Sequence, residues 1–180
     1  MIRCFAKCIF HVMDWPLDRR YSHEINKKII IVAPQTSTMV FPIGLRVKYW
    51  VNLEVIFYVK LELIKGITGC FLRSIGGRAV DRSKNNNFAG QDVADFKNIE
   101  SYTMVTGPEG MRKKVLKSGF YYIALQAKVP IIPVAFDYVK TAIKFFPASY
   151  RVEGREEQEI EDLQMLFKDI TGKIPEYSVN

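Results

Sequence analysis

Five consecutive apolar residues, Ile29-Ile30-Ile31-Val32-Ala33, constrain this chain more than any other feature. The run is far shorter than the ~20 residues a membrane-spanning helix needs. With Lys28 before it and Pro34 after it, it reads as a short buried strand, basic at its mouth and ended by proline. Thr36 and Ser37 are placed to cap a helix running through Phe41 to Tyr49. Glu54 to Lys60 alternates as a second strand. Leu61 to Ile75 reads as a helix closed by Gly76-Gly77, and Arg78 to Arg82 as a short extended piece. After the polar loop Ser83 to Asn87 come a helix at Phe88–Asn98 and a strand at Tyr102–Val105. A helix at Val115–Lys128, a strand at Pro130–Phe136 and another at Ala142–Phe146 follow. The last helix, Arg155–Ile170, sets Ile160, Leu163, Leu166, Phe167 and Ile170 on one face. Alternation of this kind predicts a layered α/β fold, a largely parallel sheet flanked by helices.

At 180 residues the chain is sized for one core, and no linker, repeat or low-complexity block divides it. Residues 1–24 read as an N-terminal amphipathic helix with its connection, and residues 25–180 as one domain. Hydrophobic residues at 48% and charged residues at 25% exclude wholesale disorder. The net charge of +7 favours anionic partners: phosphorylated small molecules, acidic membrane surfaces or nucleic acid. Aromatic residues fall at core-like spacings rather than among basic clusters, so nucleic acid is not expected. Cys4, Cys8 and Cys70 have neither metal-ligand nor disulfide spacing, and His11 and His23 are the only histidines. Structural thiols suit a reducing, cytoplasmic compartment, and no metal or other cofactor is expected. From Met1 to Trp15, Ile2, Phe5, Ala6, Ile9 and Met13 share a helical face, with Arg3, Lys7 and His11 away from it. Two readings stand for that segment: a helix packed on the domain, or one lying in a membrane interface.

Candidate chemistry gathers in loops after strands, where open α/β sheets bind ligands. Gly107-Pro108-Glu109-Gly110-Met111-Arg112 is either a tight turn before a helix or an anion cradle. In the second reading the glycines let backbone amides approach a phosphate, and Arg112 adds a bidentate charge. Arg82 is either a second phosphate ligand or a surface arginine paired with Asp81.

Taken together, four strings follow one order: Ala33 to Pro42, Gly76 to Ser83, Gly107 to Arg112, and Val129 to Phe136. From about Lys28 to the C-terminus the chain resembles the 1-acylglycerol-3-phosphate acyltransferases, which add a second acyl chain to lysophosphatidic acid. The resemblance implies a glycerolphosphate-acyltransferase-like fold. It also implies an acyl-CoA or acyl-carrier-protein donor, lysophosphatidic acid as acceptor, and a peripheral place on an anionic membrane surface. By position, Arg82 matches the second-motif arginine that meets the substrate phosphate. Gly107, Glu109, Gly110 and Arg112 match the third motif, which binds glycerol phosphate, and Pro130 to Pro133 match the fourth. Met111 stands where the third motif has threonine, removing a hydroxyl from that site.

The first motif departs most. Its catalytic histidine position is Gln35 and its aspartate position is Val40. In the family the histidine takes a proton from the acceptor hydroxyl while the aspartate orients and supports the imidazolium. Gln35 hydrogen-bonds but is no base at neutral pH, and Val40 neither orients nor stabilises a charge. A positioned general base is worth ~10²–10⁴ in rate. Ser37 and Thr36 share the loop without a base beside them, and Glu109 has a binding role in the family. The expectation is an acyltransferase relative of glycerophospholipid synthesis, inactive or strongly impaired. The alternatives are a working transferase with an unorthodox base, and a non-catalytic peripheral membrane or phospholipid-binding scaffold.

Overall fold

The apolar run forms the first strand, β1 (Lys27–Ala33), and it lies in the middle of the sheet. Side chains alternate across a strand. Ile29, Ile31 and Ala33 therefore enter one apolar cluster, while Ile30 and Val32 enter another on the opposite face. A strand covered on both faces needs no polar residue, which is why the run is uninterrupted. Lys28 departs from the expectation of a basic mouth: it is only 2% exposed, and burial lowers its pKa. The computed structural model describes residues 25–34, 40–80, 88–108, 118–146, 150–168 and 170–172. The expected helix at Met1–Trp15 and the caps Thr36 and Ser37 lie outside these.

Helix α1 (Val40–Trp50) leads to β2 (Ile56–Lys60), then to a 3-10 turn (Leu61–Ile64), α2 (Gly66–Ser74) and β3 (Gly77–Val80). Helix α3 (Phe88–Asn98), β4 (Tyr102–Thr106), α4 (Gly119–Ala127), β5 (Ile131–Asp137), β6 (Ala142–Phe145) and α5 (Glu156–Met165) complete the order. The six strands lie in the order β3-β2-β4-β1-β5-β6. Five run parallel, and β6 is antiparallel to β5. β1 pairs with β4 from Lys27 opposite Tyr102 to Ile31 opposite Thr106, and with β5 from Ile29 opposite Ile131 onward. The layered, largely parallel α/β expectation therefore holds.

Val93 and Phe96 of α3, Phe120, Tyr121 and Ile123 of α4, and Leu163 of α5 cover one sheet face. Val40 and Ile43 of α1 cover the other. The expected single helix at Leu61–Ile75 is instead a 3-10 turn and then α2. Gly66 at the break has φ +65, a left-handed conformation that costs other residues strain. The last helix ends at Met165 rather than Ile170. Phe167 and Ile170 still pack in the core from the turn beyond it, whereas Leu166 is exposed. The strand expected at Arg78–Arg82 spans Gly77–Val80, and α4 closes at Lys128, whose φ is +56.

Helix α5 also buries a carboxylate. Glu159 accepts hydrogen bonds from the Tyr121 hydroxyl (2.7 Å) and from the backbone amides of Glu153 (2.9 Å), Gly154 (3.3 Å) and Arg155 (3.2 Å). It thereby ties the loop before α5 to α4.

Candidate functional site

Five parallel strands present their carboxyl ends along one edge of the sheet. β1 and β4 are neighbours there, so the chain leaving Ala33-Pro34 and the chain leaving Thr106-Gly107 start side by side. β3, which leads into residue 81, lies two strands from β4; at ~4.8 Å per strand that is about 10 Å. Three of the four sequence motifs thus depart from one edge. The fourth, Val129–Phe136, is mostly β5 itself.

Between α1 and the sheet lies an apolar cavity of about 430 Å³, within the range of ligand pockets. Its floor includes Ile30 and Val32 of β1 and Val134 and Phe136 of β5, and its roof includes Val40, Gly44 and Val47 of α1. One end of it reaches Thr106 and Gly107 at the carboxyl edge. The site positions Val40 and Gly107, far apart in sequence, therefore border one space. Val40 is buried among apolar neighbours, as a valine at the first residue of a helix over a sheet would be. Pro108 is described and buried. Gln35, Arg82, Glu109, Gly110 and Arg112 lie outside the described residues.

Among the described residues, no histidine, cysteine or carboxylate lines the cavity. Lys48 is the cation among these described lining residues, and its Nζ donates to the carbonyl of Ile75. Burial lowers the Lys48 pKa, and Glu54 partly offsets that. A part-buried polar cluster adjoins the cavity through Tyr58. Tyr58 and Tyr102 both donate to Asp92, the latter at 3.2 Å, and Arg78 pairs with Asp95. Burial raises the pKa of Asp92 against the lowering effect of its hydrogen bonds. Tyr102 opens β4, at the end away from Gly107, whereas Tyr58 also lines the cavity and links it to Asp92.

Sequence reasoning missed the cavity. The signal that would have found it is Gly44, a glycine inside a helix with no turn to make. A Cβ built there meets nothing within 4 Å, so the residue fronts open space. Gly44→Ala is therefore expected to stabilise the fold by about 0.5–1 kcal/mol, through helix propensity and a less flexible unfolded chain. Thermal unfolding of the two chains checks this; a lower midpoint for the alanine chain would mean the cavity is not open at Gly44.

Compared with protein-family models and with curated proteins, the chain matches none. No described helix is long and apolar enough to cross a membrane.

Proposed function

We propose that this chain is an acyltransferase-type protein of glycerophospholipid synthesis that binds an acyl glycerol phosphate such as lysophosphatidate but transfers acyl groups poorly. The observation that carries this reading is the apolar cavity whose end lies beside Val40 and Gly107. An amphiphile with one apolar chain and one phosphate suits an apolar space that ends where glycine- and arginine-bearing segments leave the strands. The order of the four motifs supports the same reading, and supports a glycerolphosphate-acyltransferase-like form of the α/β fold.

In such a transfer the acceptor hydroxyl oxygen attacks the thioester carbonyl of acyl-CoA or acyl-carrier protein. A C–O bond forms, the C–S bond breaks, and the hydroxyl proton ends on the departing thiol. A base beside the hydroxyl accelerates the first event, and Gln35 supplies none. The described lining of the cavity, which holds no carboxylate or imidazole, supports a second reading, a phospholipid-binding scaffold on a membrane surface.

Lysophosphatidate titrated into the chain, followed by calorimetry, tests the proposal. Saturable binding is expected. Arg82→Ala or Arg112→Ala should weaken it by about ten- to a hundredfold, the worth of a charged hydrogen bond to phosphate. Gly44→Phe, which fills the cavity, should weaken it comparably while glycerol 3-phosphate binding stays unchanged. Binding indifferent to all three substitutions would sink the reading.

A further inference from the structure

The 3-10 turn and α2 turn apolar side chains outward. Ile67 is 91% exposed, Leu63 55%, Phe71 45% and Leu61 41%. Ile67 and Phe71 stand four residues apart and so share a helical face. Gly69 keeps the turn and α2 together: a Cβ there would sit 2.0 Å from the backbone oxygen of Ile64. Monomer surfaces rarely collect so much exposed apolar area in one place without using it.

Charge identifies the partner. Lys60, Lys65 and Arg73 are exposed around the patch, against a single carboxylate, Glu62, between positions 60 and 73. Lysine is depleted at protein interfaces but suits anionic headgroups, where its long stem follows apolar surface while the amine stays in water. Position points the same way. The turn follows the carboxyl end of β2, on the same edge as Gly107, and Leu63 and Phe41 belong both to the cavity wall and to the outer surface. Patch and cavity mouth are continuous.

We propose that Leu61, Leu63, Ile67 and Phe71 dock this chain on an anionic lipid bilayer, with Lys60, Lys65 and Arg73 at the phosphate level and the cavity mouth opening towards the acyl chains. An amphiphile then passes from bilayer to cavity without carrying its chain through water. That use of the cavity rests on the proposed function; the docking does not.

The full chain is sedimented with vesicles of phosphatidylcholine alone and of phosphatidylcholine mixed with phosphatidylglycerol. Binding is expected on the mixed vesicles and should weaken as salt rises. Ile67→Glu/Phe71→Glu should weaken it about a hundredfold. Lys60→Gln/Lys65→Gln should weaken it about tenfold on mixed vesicles and leave phosphatidylcholine binding unchanged. Absence of binding by the parent chain, or equal binding by Ile67→Glu/Phe71→Glu, overturns the proposal. So does a self-association by size-exclusion chromatography that the glutamates abolish, which marks a protein interface. A large fall in unfolding midpoint for Ile67→Glu/Phe71→Glu also overturns it, since the two side chains would then be packed within the fold rather than free to meet a bilayer. The vesicles contain no lysophosphatidate, so failure of the acyl-glycerol reading leaves this outcome untouched.

Discussion

Gln35→His/Val40→Asp is expected to raise acyl transfer to lysophosphatidate by about 10²–10⁴-fold over the unaltered chain. The histidine supplies a proton acceptor where an amide has none. The aspartate supplies its orientation, and each alone should add little, because such groups act as a unit. Position 40 suits the change in one respect and resists it in another. It is the first residue of α1, whose first turn holds no acidic residue, so a carboxylate there gains about 0.3–1 kcal/mol from the helix dipole. It is also only 7% exposed, within an apolar cluster, so an unpaired carboxyl costs about 1–3 kcal/mol. Val40→Asp alone should therefore lower stability, with Gln35→His restoring part of it. Product formation from a labelled acyl thioester decides the matter. Activity created in the double variant marks an intact substrate site with a silenced base. Efficient turnover by the unaltered chain would show that another group is the base. No activity in a folded double variant, together with normal lysophosphatidate binding, would favour the scaffold reading.

Glu159→Ala carries the largest expected effect on stability, a loss of about 3 kcal/mol. The substitution strips partners from three backbone amides and the Tyr121 hydroxyl at once, and buried donors without acceptors cost about 1–3 kcal/mol apiece before relaxation and water entry reduce the total. For a chain of this size the unfolding midpoint should fall by about 6–12 °C. The pH dependence follows from the same contacts. Burial alone would raise the Glu159 pKa, but the Tyr121 hydroxyl and the amides of Glu153, Gly154 and Arg155 outweigh it and hold it below the ordinary 4.5. The unfolded chain therefore takes up this proton at higher pH than the folded one. The stabilisation is complete above about pH 4.5 and disappears as pH falls through the lower folded value. Glu159→Gln, which cannot titrate, should lose less stability than the parent across that window. Denaturant unfolding between neutral pH and pH 3 checks it; parallel acid profiles would remove Glu159 from the account. Tyr121 changes in the opposite sense, its pKa pushed up to about 12 by burial and by Glu159.

Local pattern was a sound guide wherever neighbours in sequence decide the outcome. The β1 apolar run, the α3 span at Phe88–Asn98 and the β5 segment are all set by periodicity over a few residues. Val40 and Gly107, far apart in the chain, both line the cavity, a juxtaposition that comes from the tertiary fold. Elsewhere a local reading went astray for identifiable reasons. A helical pattern over Leu61–Ile75 does not reveal that Gly66 leaves the helical region or that Gly69 admits the backbone of Ile64. An amphipathic pattern over Arg155–Ile170 assigns Leu166 to the core, but the helix stops at Met165 and the phase is lost.

By itself the sequence determined most of the elements, the α/β class and the residues offered for chemistry, because propensity and periodicity act between neighbours. The tertiary structure alone decided the rest. It set the return of β4 between β2 and β1, the burial of Lys28, Asp92 and Glu159, the outward apolar face of α2, and the cavity under α1. Each of these depends on which distant segment fills, or fails to fill, the space beside a side chain, and no local pattern carries that information.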